Sequence, residues 1–497
     1  MQSRWLLIAL TLVFSTSLAA QEEHNHPEPE KLGVVSFPIS CNAETQQEFN
    51  RGVALLHSFA YTVAERAFRS VADRDPQCAM AHWGIAMTHF HQLWEPHLPP
   101  AANSVGLEEI KRAESLGKSS ERERKFINAL GLIFRDTSSV PYQTRALNYE
   151  HAMSELAAEN RKDVEVQIFY ALALISNASP SDKLHLKQKQ AASLLEPLYR
   201  DFPNHPGIPH YLIHAYDNAE LAPRGLSAAR AYSKIAPSAP HALHMPSHIF
   251  TRLGLWDDSI ASNMAARTAA HQQGDMGEEL HAMDYLVYAY LQSGRDTEAA
   301  QVIEGLRDMH DLKNDDFKAG YAATAMPIRY AVERRQWKDA ANIVPPSDAA
   351  PPQVVAIAVW ARGLGLAQSG HSLESNKESE RLGEIVEKLR ASGDDYWATQ
   401  VSILRREIVA WVAQSANKPK DASALMRSAA DEEDAIEKLP VTPGPIVPAR
   451  EQLGDLLLKQ GDPGQASEEF KTVLANAPGR RGALQGAAQA AKLSGRR

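Results

Sequence analysis

Residues Thr45–Cys78 read TQQEFNRGVALLHSFAYTVAERAFRSVADRDPQC. Small or apolar residues recur at Gly52, Leu55, Ala64, Phe68, Val71 and Pro76. Spacings of three and four put side chains on one face of a helix. The stretch reads as one helix–turn–helix unit, and Pro76 ends the second helix, because proline has no N–H to continue the ladder. The same register returns far downstream. Glu451–Pro478 (EQLGDLLLKQGDPGQASEEFKTVLANAP) carries Gly454, Gly461, Ala466, Phe470, Val473 and Pro478. Gly454 precedes Pro478 by 24 residues, as Gly52 precedes Pro76. Two independent copies of one helix–turn–helix unit predict an array of such units.

The 34-residue period and the Gly/Ala/Phe/Pro pattern resemble the tetratricopeptide (TPR) repeat. That resemblance implies an all-α, helical hairpin solenoid coiled as a right-handed superhelix, with the first helix of each unit lining a concave groove. The copies between are weaker. Ala79–Pro96 reads as the first helix of the next unit, with the second giving way to a Pro/Ala stretch, HLPPAANS. Glu121–Asp136, Tyr142–Asn160, Val164–Ser176 and Gln188–Pro203 read as further helices. Segments such as LLHSF, AHWGIAM, HYLIHAYD, HMPSHIF, DYLVYAYLQ and VTPGPIVPARE are similar to those of exported bacterial TPR-repeat proteins of unsettled activity.

The 497 residues carry a formal charge of −9, with 44% hydrophobic and 23% charged residues. These are ordinary globular values. A net negative chain lacks the basic face that nucleic acid requires, so no nucleic-acid partner is expected. Met1–Ala20 (MQSRWLLIALTLVFSTSLAA) has one Arg, a short apolar run and small residues at its end, the pattern of a cleavable secretory signal. The run is too short to span roughly 30 Å of hydrocarbon. A secreted, periplasmic protein with no membrane span after cleavage is expected. Residues 21–40 are read as a disordered polar tail, 41–342 as an N-terminal TPR-like solenoid, 343–443 as a helical continuation, and 444–497 as a C-terminal TPR unit. The Pro-rich stretches Ile343–Gln353 and Leu439–Pro448 are read as joints. The only two cysteines, Cys41 and Cys78, flank the first helix pair. An antiparallel pair brings its ends together, which puts a disulfide within reach in an oxidising compartment, although spacing alone leaves the pairing open.

The chemistry concentrates in Pro206–Ile260. His210 and His214 are four apart, and His241, His244 and His248 are spaced three and four. Pro206 and Pro240 lie 34 residues apart, so the units register His210 over His244 and His214 over His248. The TPR resemblance implies that the groove is lined by His57, Trp83, His91, His210, His214, Asp217, His241, His244, His248, Arg252, His281, Asp284 and Tyr288. Imidazole suits divalent transition metals, zinc or copper foremost. Two His at i, i+4 can share one ion, and a neighbouring helix can complete the set. His210, His214, His244 and His248 are the candidate ligands, with Asp217 or Asp284 behind them. Pro246 leaves two outcomes open. A kink would keep the histidines on one face, whereas a fresh helix start near Met245 would strand His241 and His244 in a loop.

No H-E-x-x-H, G-x-S-x-G, P-loop or dinucleotide turn is present. Three functions follow. The first is a groove for a peptide or protein partner, in which a transition metal held by the histidines could organise the site. The second is a metal carrier or sensor. The third is a metal-dependent hydrolytic or oxidative enzyme.

Overall fold

Phe68 explains why the repeat pattern folds as it does. It projects from the helix Tyr61–Arg74 against the preceding helix Gln46–His57 and the following helix Ala79–Met87. A Cβ added at Gly52 would meet its ring at 2.7 Å, and one at Gly84 at 2.4 Å. Both positions must be glycine for the helices to close on the ring. The C-terminal copy repeats the arrangement. Phe470 is wedged between Gly454 and Gly486, where an added Cβ would lie 2.7 and 2.2 Å from the ring. Each phenylalanine is fully buried, which contributes about 1.5–3 kcal/mol.

The computed structural model describes residues 30–93, 98–309, 312 and 317–495. Among the described residues every regular element is a helix, and none is long and apolar enough to cross a membrane. The chain is a TPR-like solenoid of helical hairpins. Successive helices pack on one another from Gln46–His57 to Arg481–Leu493, around buried cores that run from Leu32 to Phe250, from Ile260 to Met326 and from Tyr321 to Ala490. Met1–Ala20, read above as a signal, and the tail as far as Pro29 lie outside the described residues.

Three sequence expectations are corrected. Residues 31–40 are not a loose tail. Val34 N–H donates to Asn204 O at 2.9 Å, and Ser40 N–H to the Glu123 carboxylate at 2.6 Å. Phe37 is fully buried against Phe49, Trp83 and Phe126. Buried Leu32 and Phe37, within the largely apolar run KLGVVSFPIS, anchor the segment. Secondly, the helix Ala79–Met87 stops well short of Pro96, and the Pro/Ala stretch starts a new helix, Pro100–Ser115. Proline at the first helical position loses no hydrogen bond and has its φ already set.

Thirdly, Leu439–Pro448 is more than a joint. The flanking helices Pro419–Asp434 and Ala449–Gln460 pack together as neighbours, and the segment between them reaches the helices Met276–Gln292 and Phe317–Glu333. Its prolines cannot continue a helix, so its carbonyls need outside donors. Tyr285 O–H donates to Pro440 O and Thr442 O at 3.3 and 3.2 Å. Arg329 reaches Gly444 O at 3.2 Å, and Arg480 reaches Ile446 O at 3.3 Å. Side chains from three distant parts of the chain thus hold this strap. The C-terminal unit then folds back onto the middle of the chain. Trp256 Nε1–H donates to Gly479 O at 3.2 Å, and Arg481 N–H donates to Gln292 Oε1 at 2.9 Å. Cys41 and Cys78 are bonded, with Cα atoms 5.0 Å apart.

Candidate metal centre

Three helical segments carry the histidines. Every residue of Gly207–Tyr216 is buried, so His210 and His214 point into protein on one face. The next unit runs Pro240–His244 and Pro246–Arg252. Pro246 removes the bond to Ala242 O, yet Met245 keeps right-handed helical angles (φ −53°, ψ −36°). The chain bends without uncoiling, so His244 and His248 stay on one face. Met276–Gln292 supplies His281.

These segments bring six histidines into two sets. His210, His214 and His241 form one, and His244, His248 and His281 the other; within each, ligand atoms lie within 4.8 Å of one another. The grouping differs from the four-histidine set drawn from sequence. The pairs His210/His214 and His244/His248 each gain a third imidazole, from His241 and His281, rather than joining each other. The His214 and His248 rings are still close, with centroids 6.0 Å apart. All six rings are buried. His244, His248 and His281 are at most 1% exposed, and His214, at 6%, is the most open of the six.

The second set has the more telling hydrogen bonds. Asn263 Nδ2 donates to Ser259 O at 2.8 Å, which turns its Oδ1 toward His244 Nδ1 at 2.7 Å. That contact needs an N–H on His244 Nδ1. His248 Nδ1 faces the Asp217 carboxylate at 2.9 Å and must also carry its proton. Both Nε2 atoms are therefore lone-pair acceptors, and they face each other at 3.0 Å. A proton between them would make an imidazolium. Burial holds His248 down to about 4, against the pull of Asp217, and burial with the neighbouring imidazoles holds His244 well below its ordinary value. Neutral rings with inward lone pairs are the form that binds metal. Nitrogens on one tetrahedral zinc, at roughly 2.0 Å from the ion, sit about 3.3 Å apart, close to this spacing.

The first set has a parallel frame. His210 Nδ1–H donates to His57 O at 2.6 Å, and His210 Nε2 lies 3.1 Å from His214 Nε2. His241 Nδ1 meets Glu278 Oε2 at 3.2 Å. Burial lowers His210 and His214 well below the usual range, and the neighbouring imidazoles add to this. Such outer partners fix tautomer and ring orientation in metal sites. Asp217 is itself held well below the carboxylate range. Burial opposes this, but Lys438 at 2.8 Å and Arg252 at 2.9 Å outweigh it.

The remaining groove candidates have other partners. Asp284 is not behind any histidine: it pairs with buried Arg329 at 2.8 Å. Tyr288 O–H accepts from Arg480 at 3.3 Å. Trp83 belongs to an aromatic core with Phe126 and Phe169. His91 stacks on Tyr61, centroids 4.1 Å apart. His57 sits in a third group, with Glu165 and His205. His57 and His205 each place Nε2 2.9 Å from a different Glu165 oxygen. His57 Nδ1 lies 3.0 Å from the Tyr211 hydroxyl, and Gly207 N–H donates to His205 Nδ1 at 3.2 Å.

Glu165, His205, Glu278, Asn263, Tyr285 and Lys438 were not foreseen. His205 adjoins the histidine-rich stretch and could have been drawn in. Lys438 and Glu165 lie too far along the chain for spacing to reveal.

No family model matches the chain, and no curated protein matches it. Solved structures do resemble it. The TPR domain of P58(IPK) is 11% identical, covering 91% of this chain and 99% of that one, with a TM-score of 0.24. A monomeric IFIT1 mutant with Gppp-AAAA is 10% identical, with coverages of 88% and 95% and a TM-score of 0.39. The Cut9–Hcn1 hetero-tetramer is 10% identical, with coverages of 90% and 90% and a TM-score of 0.30.

Proposed function

We propose that this protein is an exported metal-binding TPR-like solenoid. Each buried three-histidine set holds one divalent transition ion, zinc or copper, with Asp217 and Glu278 as outer carboxylates. One observation carries the reading: the His244 and His248 lone pairs converge at 3.0 Å in an interior that disfavours a shared proton. A cation between them turns that repulsion into two bonds. Neutral imidazoles and no inner carboxylate suit zinc or copper better than calcium or magnesium, which prefer oxygen. The signal-like Met1–Ala20 and the bonded Cys41–Cys78 pair support export to an oxidising compartment such as the periplasm. Elemental analysis of untagged full-length protein tests the metal reading. Near-stoichiometric zinc or copper per set is expected, with a fall in thermal stability on chelation. Metal-free protein whose stability ignores added zinc and copper would refute it.

A peptide-binding reading is also favoured by one feature. The chain already holds a segment of its own, Leu439–Pro448, through donors to its carbonyls. A partner peptide binding there would displace this strap. A synthetic peptide of the strap sequence that binds no better than a scrambled one would count against it.

A further inference from the structure

His214 borders a cavity of about 410 Å³. Its sides include Phe90, Tyr142, Ile175 and, from the strap, Leu439 and Pro440, while His214 and Asp217 stand together on its wall. The volume falls within the range of small-molecule sites, and the lining sets these apolar residues beside polar ones, among them Gln92, Asn177, Asn218, Glu437 and Lys438. The two histidine sets differ here. The second has the Tyr285 hydroxyl 3.4 Å from His248 Nε2, held there by its bonds to the strap. The first has His214 facing the cavity instead. Three protein ligands leave a tetrahedral ion one position for an outside donor.

We propose that this cavity is a ligand site and that the His210–His214–His241 ion is its floor, taking a small organic carboxylate with an apolar body. This rests on the metal reading above. The charges select the ligand. Three neutral imidazoles leave a divalent ion with its full positive charge, while on the cavity wall Lys438 and Asp217 offset each other at 2.8 Å and Glu437 is paired with Lys183 at 2.7 Å. An anionic donor is therefore drawn to the ion end, while the apolar walls reward a hydrocarbon or aromatic body. The strap contributes one wall, so a bound ligand would touch Leu439 directly.

The test uses full-length protein loaded with Co²⁺, whose visible spectrum reports a change of ligand, and titrates it with benzoate, acetate and azide. Benzoate should perturb the spectrum and bind about tenfold or more tightly than acetate, as burial of a ring implies. Leu439→Trp, which fills the cavity from the strap, should weaken benzoate about tenfold while azide still perturbs the spectrum. Ile175→Trp, which fills the cavity from a different segment of the chain, should do the same and guards against misfolding of the first variant. Equal binding of benzoate and acetate, or indifference to both substitutions, would overturn the cavity as a ligand site while leaving the metal centre standing. Failure to take up Co²⁺ at all would overturn both, and is told apart by the absence of any cobalt spectrum.

Discussion

Two buried groups in this molecule look alike as counts of ligands and differ as chemistry. His57, Glu165 and His205 place a carboxylate between two imidazoles, and each carboxylate oxygen receives one N–H at 2.9 Å. Tyr211 O–H and Gly207 N–H complete the other two ring nitrogens. Every lone pair and proton is accounted for by protein. Burial alone would push Glu165 up, but the flanking rings of His205 and His57 outweigh it and hold the acid down to about 2. His244 and His248 have no acid between them. Their protons are committed outward, to Asn263 and Asp217, and their lone pairs are left facing inward. The first arrangement is a structural clamp. The second asks for a cation. Whether a carboxylate sits inside or outside the ring of imidazoles separates them.

The strongest challenge to that contrast is to remove the inward lone pairs. His244→Ala together with His248→Ala should weaken metal binding at that set by at least about 100-fold, since losing an outer partner alone costs 10–100-fold. Metal content after dialysis measures it. The same pair of substitutions should leave the metal of the His210 set in place.

The clamp should answer differently. Glu165→Leu strands two buried N–H groups and should cost about 3–5 kcal/mol in urea unfolding, with metal content unchanged. Glu165→Gln should cost less, because His57 can change tautomer and accept from the amide while donating to Tyr211. The pH dependence follows from the same acid. A carboxyl with a lowered folded pKa stabilises above its unfolded value near 4.5 and loses that contribution as pH falls toward about 2. Stability of the parent chain should therefore fall more steeply across that window than that of Glu165→Leu.

Smaller effects sharpen the comparison further. Asp217→Asn keeps the shape beside His248 but weakens its acceptor, and leaves Lys438 and Arg252 short of a partner. Metal affinity should drop about 10–100-fold at the His244 set, and little at the His210 set. Outside the centre, Gly52→Ala and Gly454→Ala should each cost about 1–3 kcal/mol, because the new methyl meets a phenylalanine ring at 2.7 Å in both. Equal costs at the two ends would show that they share one packing rule.

The fold was readable because that rule is local. Gly52 and Phe68, or Gly454 and Phe470, are one helix apart, and their spacing survives in the sequence. The paired histidines were readable for the same reason, being four apart on a helix. Their third partners were not. Whether His241 joins His210 or His244 depends on how one hairpin rotates against the next, and residue spacing does not record that angle. The strap was misread as a joint because its bonds to Tyr285 and Arg329 span more than 100 residues. Residues 31–40 differ from the tail expectation because the polar composition of 21–30 does not extend over KLGVVSFPIS, whose Leu32 and Phe37 are buried.

The most direct measurement is anomalous scattering from crystals of the untagged protein, collected on either side of the zinc and copper absorption edges. A bound ion predicts an edge-dependent peak among the Nε2 atoms of His244 and His248 and the ring of His281, with a second at the His210 set. Crystals grown with either metal that show no such peak, and a proton shared between His244 and His248 instead, would contradict it.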